Sequence, residues 1–170
     1  MNTILGGLGI PRKRQVFYSF HYANDAFRVQ QIRNMGAIEG NAPCSPSAWE
    51  TVKRQGSAAI ERWIDENMRN RSCVIVLVGR ETAFRPWVRY EICKAWDEKK
   101  ALFGIYIHNL RCPREGACIA GPNPFASIGL NNGQMLATYV PCYDPGPDAY
   151  NVIRANMDTW IERAIATKRQ

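Results

Sequence analysis

The chain has 170 residues, of which 46% are hydrophobic and 22% charged, and a formal net charge of +7. A chain of this mass can bury about 70% of the surface its unfolded form exposes. That is enough for one core, so intrinsic disorder and fibrous architecture are excluded and one domain is expected. The charge excess sits at the ends: residues 1–14 hold three basic residues and no acids, and residues 168–170 hold two and none. With those five set aside, 17 basic residues face 15 acidic ones. A nucleic-acid binder concentrates its charge on one face; here solvated ends account for it, and no nucleic-acid partner is expected.

In chain order, residues 1–14 read as a flexible basic leader. Arg12, Lys13 and Arg14 follow the apolar stretch instead of preceding it, which is the wrong order for a secretory signal. Gly6, Gly7 and Gly9 do not form a dinucleotide loop, because no strand precedes them and no helix follows. A single domain is expected over 15–170. Gln15 to Phe20 is a β-prone run, and Asn24 to Met35 a helix that Asn24 or Asp25 is suited to cap. Gly36 to Pro46 is a Gly- and Pro-rich loop with room for a short strand that cannot be placed. Ser47 to Asn70 has helical spacing, with Gly56 a candidate break.

Cys73 to Gly79 is an unbroken apolar run, the mark of a strand covered on both faces. It is the longest such run, and far short of the roughly 20 residues of a membrane span, so no membrane association is expected. Pro86 to Lys100 is a helix with proline in its first turn. Leu102 to Ile107 is a second buried strand, and 109–134 is irregular. Ala137 to Pro141 reads as the last strand and Asp148 to Thr167 as the closing helix. Alternating strands and helices mean an α/β domain with a mainly parallel sheet and helices on both faces. None of the six cysteines forms a C-x-x-C pair, and there are two histidines. Zinc-ligand spacing is therefore absent, and a reduced cytoplasmic protein without a metal is expected.

In such sheets ligands bind beyond the carboxyl ends of the strands. This singles out His21, Tyr22, Asn24 and Asp25, then Arg80, Glu81 and Thr82, then His108 and Asn109. Glu91 is the most informative residue. At about 100° per residue it falls between Trp87 and Ala95, inside the apolar arc of its helix. A carboxylate there either lines a cleft or is a border residue paired with Arg80, Arg85 or Arg89. No Ser or Cys stands at nucleophile spacing to either histidine, so a hydrolase triad has no support. The central strand ends Val78-Gly79-Arg80, without the Asp that a phospho-accepting receiver needs.

Val16-Phe17-Tyr18-Ser19-Phe20 resembles the first strand of Toll/interleukin-1 receptor (TIR) domains. Trp87-Val88-Arg89-Tyr90-Glu91 resembles their tryptophan-to-glutamate motif. Tyr18 to Tyr22, Val74 to Gly79 with Thr82, Arg85 to Glu91, and Gly104 to His108 together resemble the TIR-like proteins of the bacterial Thoeris anti-phage system. Gln15 stands where an acid often opens the first strand, and Val88 where a cysteine usually follows the tryptophan.

The resemblance implies a flavodoxin-like, TIR-like fold and a glutamate-dependent NAD glycohydrolase or ADP-ribosyl cyclase. NAD is then a substrate and no cofactor is needed. Glu91 is the implied catalytic residue. Ser19, Asn24 and Thr82 are candidates for sugar or phosphate oxygens, Phe20, Tyr22 and Trp87 for stacking on a base, and His21 is a further candidate for binding substrate. The implied product is a cyclic ADP-ribose isomer that diffuses to a separate effector protein in antiviral defence. The reading allows for a phage-derived trigger and for homo-oligomers. The rival readings are a non-catalytic TIR-like interaction module and a nucleoside deoxyribosyltransferase-like enzyme, which also uses a glutamate.

Overall fold

A computed structural model describes residues 14–36, 39–40 and 46–168. Five strands form one parallel sheet: β1 (Gln15–Ser19), β2 (Glu39–Gly40), β3 (Cys73–Val78), β4 (Ala101–Tyr106) and β5 (Cys142–Tyr143), in the order β2-β1-β3-β4-β5. This is the flavodoxin-like order. The helices are α1 (Tyr22–Asn34), α2 (Pro46–Arg54), α3 (Ser57–Met68), α4 (Pro86–Asp97) and α5 (Ala149–Thr167).

The two-residue period of a strand sorts the core into two layers. Val16, Tyr18, Ile75, Leu77, Phe103 and Ile105 meet α1 and α5 through Val29, Ile32, Ile153, Met157 and Trp160. Phe17, Val74, Val76, Val78 and Leu102 meet α3 and α4 through Ile60, Ile64, Met68, Val88, Ile92 and Ala95. All six residues of β3 are buried, as its unbroken apolar run requires. Ser19 alternates with Phe17 and so belongs to the α4 face of β1.

Several sequence expectations shift. The break at Gly56 is real: that residue has φ 92 and separates α2 from α3, a left-handed conformation that glycine alone adopts without strain. The first helix starts earlier than expected, with His21 as its N-cap and no side-chain cap. Asn24 and Asp25 therefore lie inside its first turn and do not cap it. The expected strand over Ala137 to Pro141 is instead a 3-10 turn at Leu136–Thr138, and the edge strand follows at Cys142–Tyr143. A helical turn there lets Leu136 drop into the α4-side core. The short strand that could not be placed is Glu39–Gly40. Of the expected leader, residues 1–13 lie outside the described residues; Arg14 bridges to Glu162 on α5 at 2.7 and 3.0 Å. Among the described residues no helix is long and apolar enough to cross a membrane.

Asp25 turns inward and is 1% exposed. Arg28 is equally buried; it donates to Asp25 at 3.3 Å and to the carbonyls of Leu110 at 2.9 Å and Gly116 at 3.2 Å. The pair thus clamps α1 to the long irregular segment after β4. Burial raises the Asp25 carboxyl to about 6, against the opposing pull of Arg28. The same segment crosses the end of β3 at Gly121. A Cβ there would meet the carbonyl oxygen of Gly79 at 2.3 Å and that of Arg80 at 2.6 Å. Both obstacles are backbone, so the clash cannot be relieved by a rotamer change. Gly121→Ala is expected to lower stability by about 1–3 kcal/mol in chemical denaturation, the usual cost of forcing extra volume into a packed site.

Candidate active site

The sheet order places a topological switch point at β1, which has β2 on one side and β3 on the other. Chain connections leave β1 and β3 in opposite directions, and a crevice opens where they part. A cleft of about 310 Å³ lies at this place. It is lined by Phe20 and His21 after β1, Tyr22 and Ala23 at the start of α1, Trp49, Glu50 and Lys53 on α2, and Arg85, Pro86, Trp87, Val88 and Glu91 on α4. A larger groove of about 550 Å³ lies at the other end of α4, between Trp96, Asp97 and Tyr139. It contains no buried acid, so the smaller cleft is the one with chemical capacity.

Glu91 sits in the floor of the cleft and is 4% exposed. Its neighbours Val88, Ile92 and Ala95 pack on the sheet, and α4 lies against β1, which brings the carboxyl over the strand's last residue. There the Ser19 hydroxyl donates to Glu91 Oε2. Ser19 is itself 1% exposed. The border-residue alternative, with Glu91 paired to an arginine, is not what forms. Arg85 pairs with Glu81 at 2.9 Å and Arg89 donates to the Ser127 carbonyl at 3.1 Å. Burial without a cation pushes the Glu91 carboxyl up to about 8, while the serine bond pulls it down.

The walls are aromatic. Phe20 and Tyr22 have ring centroids 4.2 Å apart, and Tyr22 stacks on Trp49 at 4.9 Å with the planes 13° apart. Trp49 is braced edge-on by Trp63, and Trp87 by Tyr90. His21 stands at the rim with Nδ1 3.8 Å from Glu81 Oε2. Its pKa is lowered by burial first and by the charge of Arg85 next, so the ring is neutral near pH 7.

Of the residues singled out from sequence, Glu91, Ser19, Phe20, His21 and Trp87 come together here. Asn24 and Thr82 do not line the cleft. Asn24 is exposed and donates to Glu81 at 2.8 Å. Thr82 is fully buried; its Oγ1 accepts from the Gly79 amide at 2.8 Å and donates toward the Leu77 carbonyl at 3.4 Å, which closes the turn after β3. His108 lies edge-on to Tyr106 after β4, away from the cleft. Sequence reasoning missed Trp49, Glu50, Lys53 and Arg85 as cleft residues. Trp49 falls on the helical spacing of residues 47–70, and nothing local tells an apolar stripe that meets a core from one that meets a cavity.

Residues 17–112 match the family described as Thoeris protein ThsB, TIR-like domain. The chain belongs to this ThsB TIR-like family. It is also 34% identical over 134 residues, 74% of this chain and 70% of the relative, to a protein of Bacillus cereus (strain MSX-D12) named as a candidate cyclic ADP-D-ribose synthase, ThsB1. The matched segment spans β1 to β4 and every cleft residue named above. In this ThsB-family cleft the acid, its serine donor and the aromatic walls all derive from the matched segment.

The raised carboxyl has a thermodynamic consequence. Folded Glu91 holds its proton up to about pH 8, whereas the unfolded residue loses it near 4.5. Between those values the folded state binds more protons, so Glu91 lowers stability progressively as pH rises, and has no such effect below the unfolded value. Glu91→Gln keeps the shape and removes the ionisation. Its melting temperature is expected to exceed that of the wild type at pH 8, with a gain of roughly 2–4 kcal/mol, since each pH unit is about 1.4 kcal/mol. The gain should vanish near pH 4.5. An equal gain at both pH values would show that Glu91 ionises normally in the fold.

Proposed function

We propose that this protein cleaves NAD at its nicotinamide–ribose bond through Glu91 and joins the freed ribose carbon to the adenosine half, yielding a cyclic ADP-ribose isomer as a diffusible signal. The observation that carries this reading is a buried carboxyl, with no cation paired to it among the described residues, at the floor of an aromatic-walled cleft. Membership of the ThsB TIR-like family and the name of the Bacillus cereus relative support it.

One carboxylate suffices for this chemistry. Ordinary glycosidases need a second acid to protonate a poor leaving group. The nicotinamide of NAD is a pyridinium. When the bond from its nitrogen to the anomeric carbon breaks, the electron pair stays on nitrogen and the ring leaves neutral. Positive charge then grows on the ribose, and an anionic Glu91 beside it stabilises that charge in surroundings poor in water. A hydroxyl of the same molecule's adenosine half attacks the anomeric carbon and gives up its proton, which Glu91, as a weak acid, is suited to accept. Holding both halves of one molecule in the cleft favours this closure over attack by water.

The pyridinium also matters before the reaction. A permanent cation entering the cleft restores the ionised state of Glu91, so substrate affinity is expected to rise with pH. Ser19 acts as a positioning residue, fixing one carboxylate oxygen and favouring the anion.

By the same reading the product reaches a separate effector protein in antiviral defence, in response to a phage-derived trigger. Mass spectrometry of small molecules from cells expressing the chain, with and without phage infection, tests the function. The expected result is a new cyclic nucleotide together with nicotinamide; a chain that never produces either is an interaction module.

In purified protein, Glu91→Gln is expected to reduce nicotinamide release by at least about 100-fold, as for loss of a main charge-stabilising group, with the circular dichroism unchanged. For the wild type, kcat/KM should rise with a midpoint near pH 8, the pKa of the free enzyme's acid. Ser19→Ala should move that midpoint upward, because the lost bond favoured the anion; an unmoved midpoint would assign Ser19 a packing role only.

A further inference from the structure

The cleft holds two cations besides its buried acid. Lys53, from α2, and Arg85, at the head of α4, both line it. They come from different helices, and the charges of both act on His21. Each has a carboxylate partner: Lys53 bonds Glu50 at 3.0 Å and Arg85 bonds Glu81 at 2.9 Å. Both pairs are 40% or more exposed on each side and join residues three or four apart. Exposed pairs of this kind hold their partners weakly and yield to a stronger anion.

Two further features add to the polar groups at this rim. Arg85 Nε and His21 Nδ1 are buried and have no hydrogen-bond partner among the described residues. The first turn of α4 opens behind Arg85 with no side-chain cap, so its amide groups present the positive end of a 12-residue helix to the same space. An unpartnered guanidinium nitrogen, two exposed cations and a helix head together offer donors to an anion with several oxygens, which would displace Glu50 and Glu81 from their partners.

We infer that Lys53 and Arg85 form the diphosphate-holding rim of the cleft, fixing the substrate with its nicotinamide ribose inward over Glu91 and its phosphates at the mouth. This rests on the NAD-cleaving reading of the same cleft and adds the two side chains that select the diphosphate over nucleosides that share the reacting end. Arg85 offers a planar fork to two oxygens, and Lys53 a point charge from the facing helix. Two phosphates carry two negative charges, which the rim's two cations match.

The test compares NAD with nicotinamide riboside, which keeps the reacting end and lacks the diphosphate. Dissociation constants are read from quenching of tryptophan fluorescence, since Trp49 and Trp87 line the site. Full-length wild type, Lys53→Gln, Arg85→Gln and the double variant are compared. Each single substitution should weaken NAD binding about tenfold and the double about 100-fold, the usual worth of charged hydrogen bonds. Riboside affinity should not change, and Lys53→Arg should bind NAD like the wild type. Lys53 is on an exposed helix face, so its substitution leaves folding intact even if the change at Arg85 disturbs α4. NAD affinity unaffected by Lys53→Gln, or riboside and NAD affinity falling together, would overturn the inference. A wild type that cleaves NAD while the variants bind it normally defeats the rim alone; a wild type that neither binds nor cleaves NAD defeats the reading beneath it.

Discussion

A carboxyl group buried without a cation costs free energy in any fold, because the charged form loses its hydration. Here that cost falls on Glu91, compensated among the described residues by the hydroxyl of Ser19. The arrangement constrains everything around it. α4 must lie against the end of β1 for the two side chains to meet, and β1 must end at Ser19 for the chain to turn away and leave space above. The aromatic residues that follow, Phe20 and Tyr22, then form a wall instead of filling the site. A core optimised for stability alone would place an apolar residue at 91. The acid is retained at a position where it weakens the ligand-free protein above pH 4.5, as expected of a group whose ionised state is useful only when a cation arrives.

The sheet topology explains why this space exists. In the order β2-β1-β3-β4-β5 the connections part at β1 and β3, and at the crevice between them three helices, α1, α2 and α4, bring residues to one cleft. The neighbouring end of β3 is closed by different means. Thr82 satisfies the Gly79 amide, Asp25 packs against Gly79, and Gly121 lets the long segment after β4 cross directly over the backbone. The Asp25–Arg28 pair ties α1 to that segment. Polar residues at the strand ends thus divide into two sets. One seals the sheet, and the other faces the cleft.

That division is also where sequence reading stopped. The unbroken run of β3, the helical spacing of α4 and the alternation of elements were readable because each depends on local periodicity. Glu91 was conspicuous because its angular position on α4 contradicted its polarity. Thr82 and Asn24 looked equivalent to Ser19 and His21, since all lie at or just beyond the carboxyl ends of strands and all are polar. Only the fold distinguishes a hydroxyl that closes a turn from one that meets a carboxylate. The strand expected at Ala137 to Pro141 failed for a related reason. A short β-prone run cannot reveal that Leu136 is needed in the core on the α4 side, which a helical turn satisfies and an extended segment does not.

What the amino-acid order determined by itself was the class of fold, the buried central strand, and an acid placed against the grain of its helix. Tertiary structure alone decided the acid's partner, its proton affinity and its company. The partner, Ser19, comes from β1, 72 residues away in the chain, and the company comes in part from α2, whose Trp49, Glu50 and Lys53 reach the site from some 40 residues away. Contacts of that range are set by how helices pack on a sheet, and no local pattern of residues encodes them.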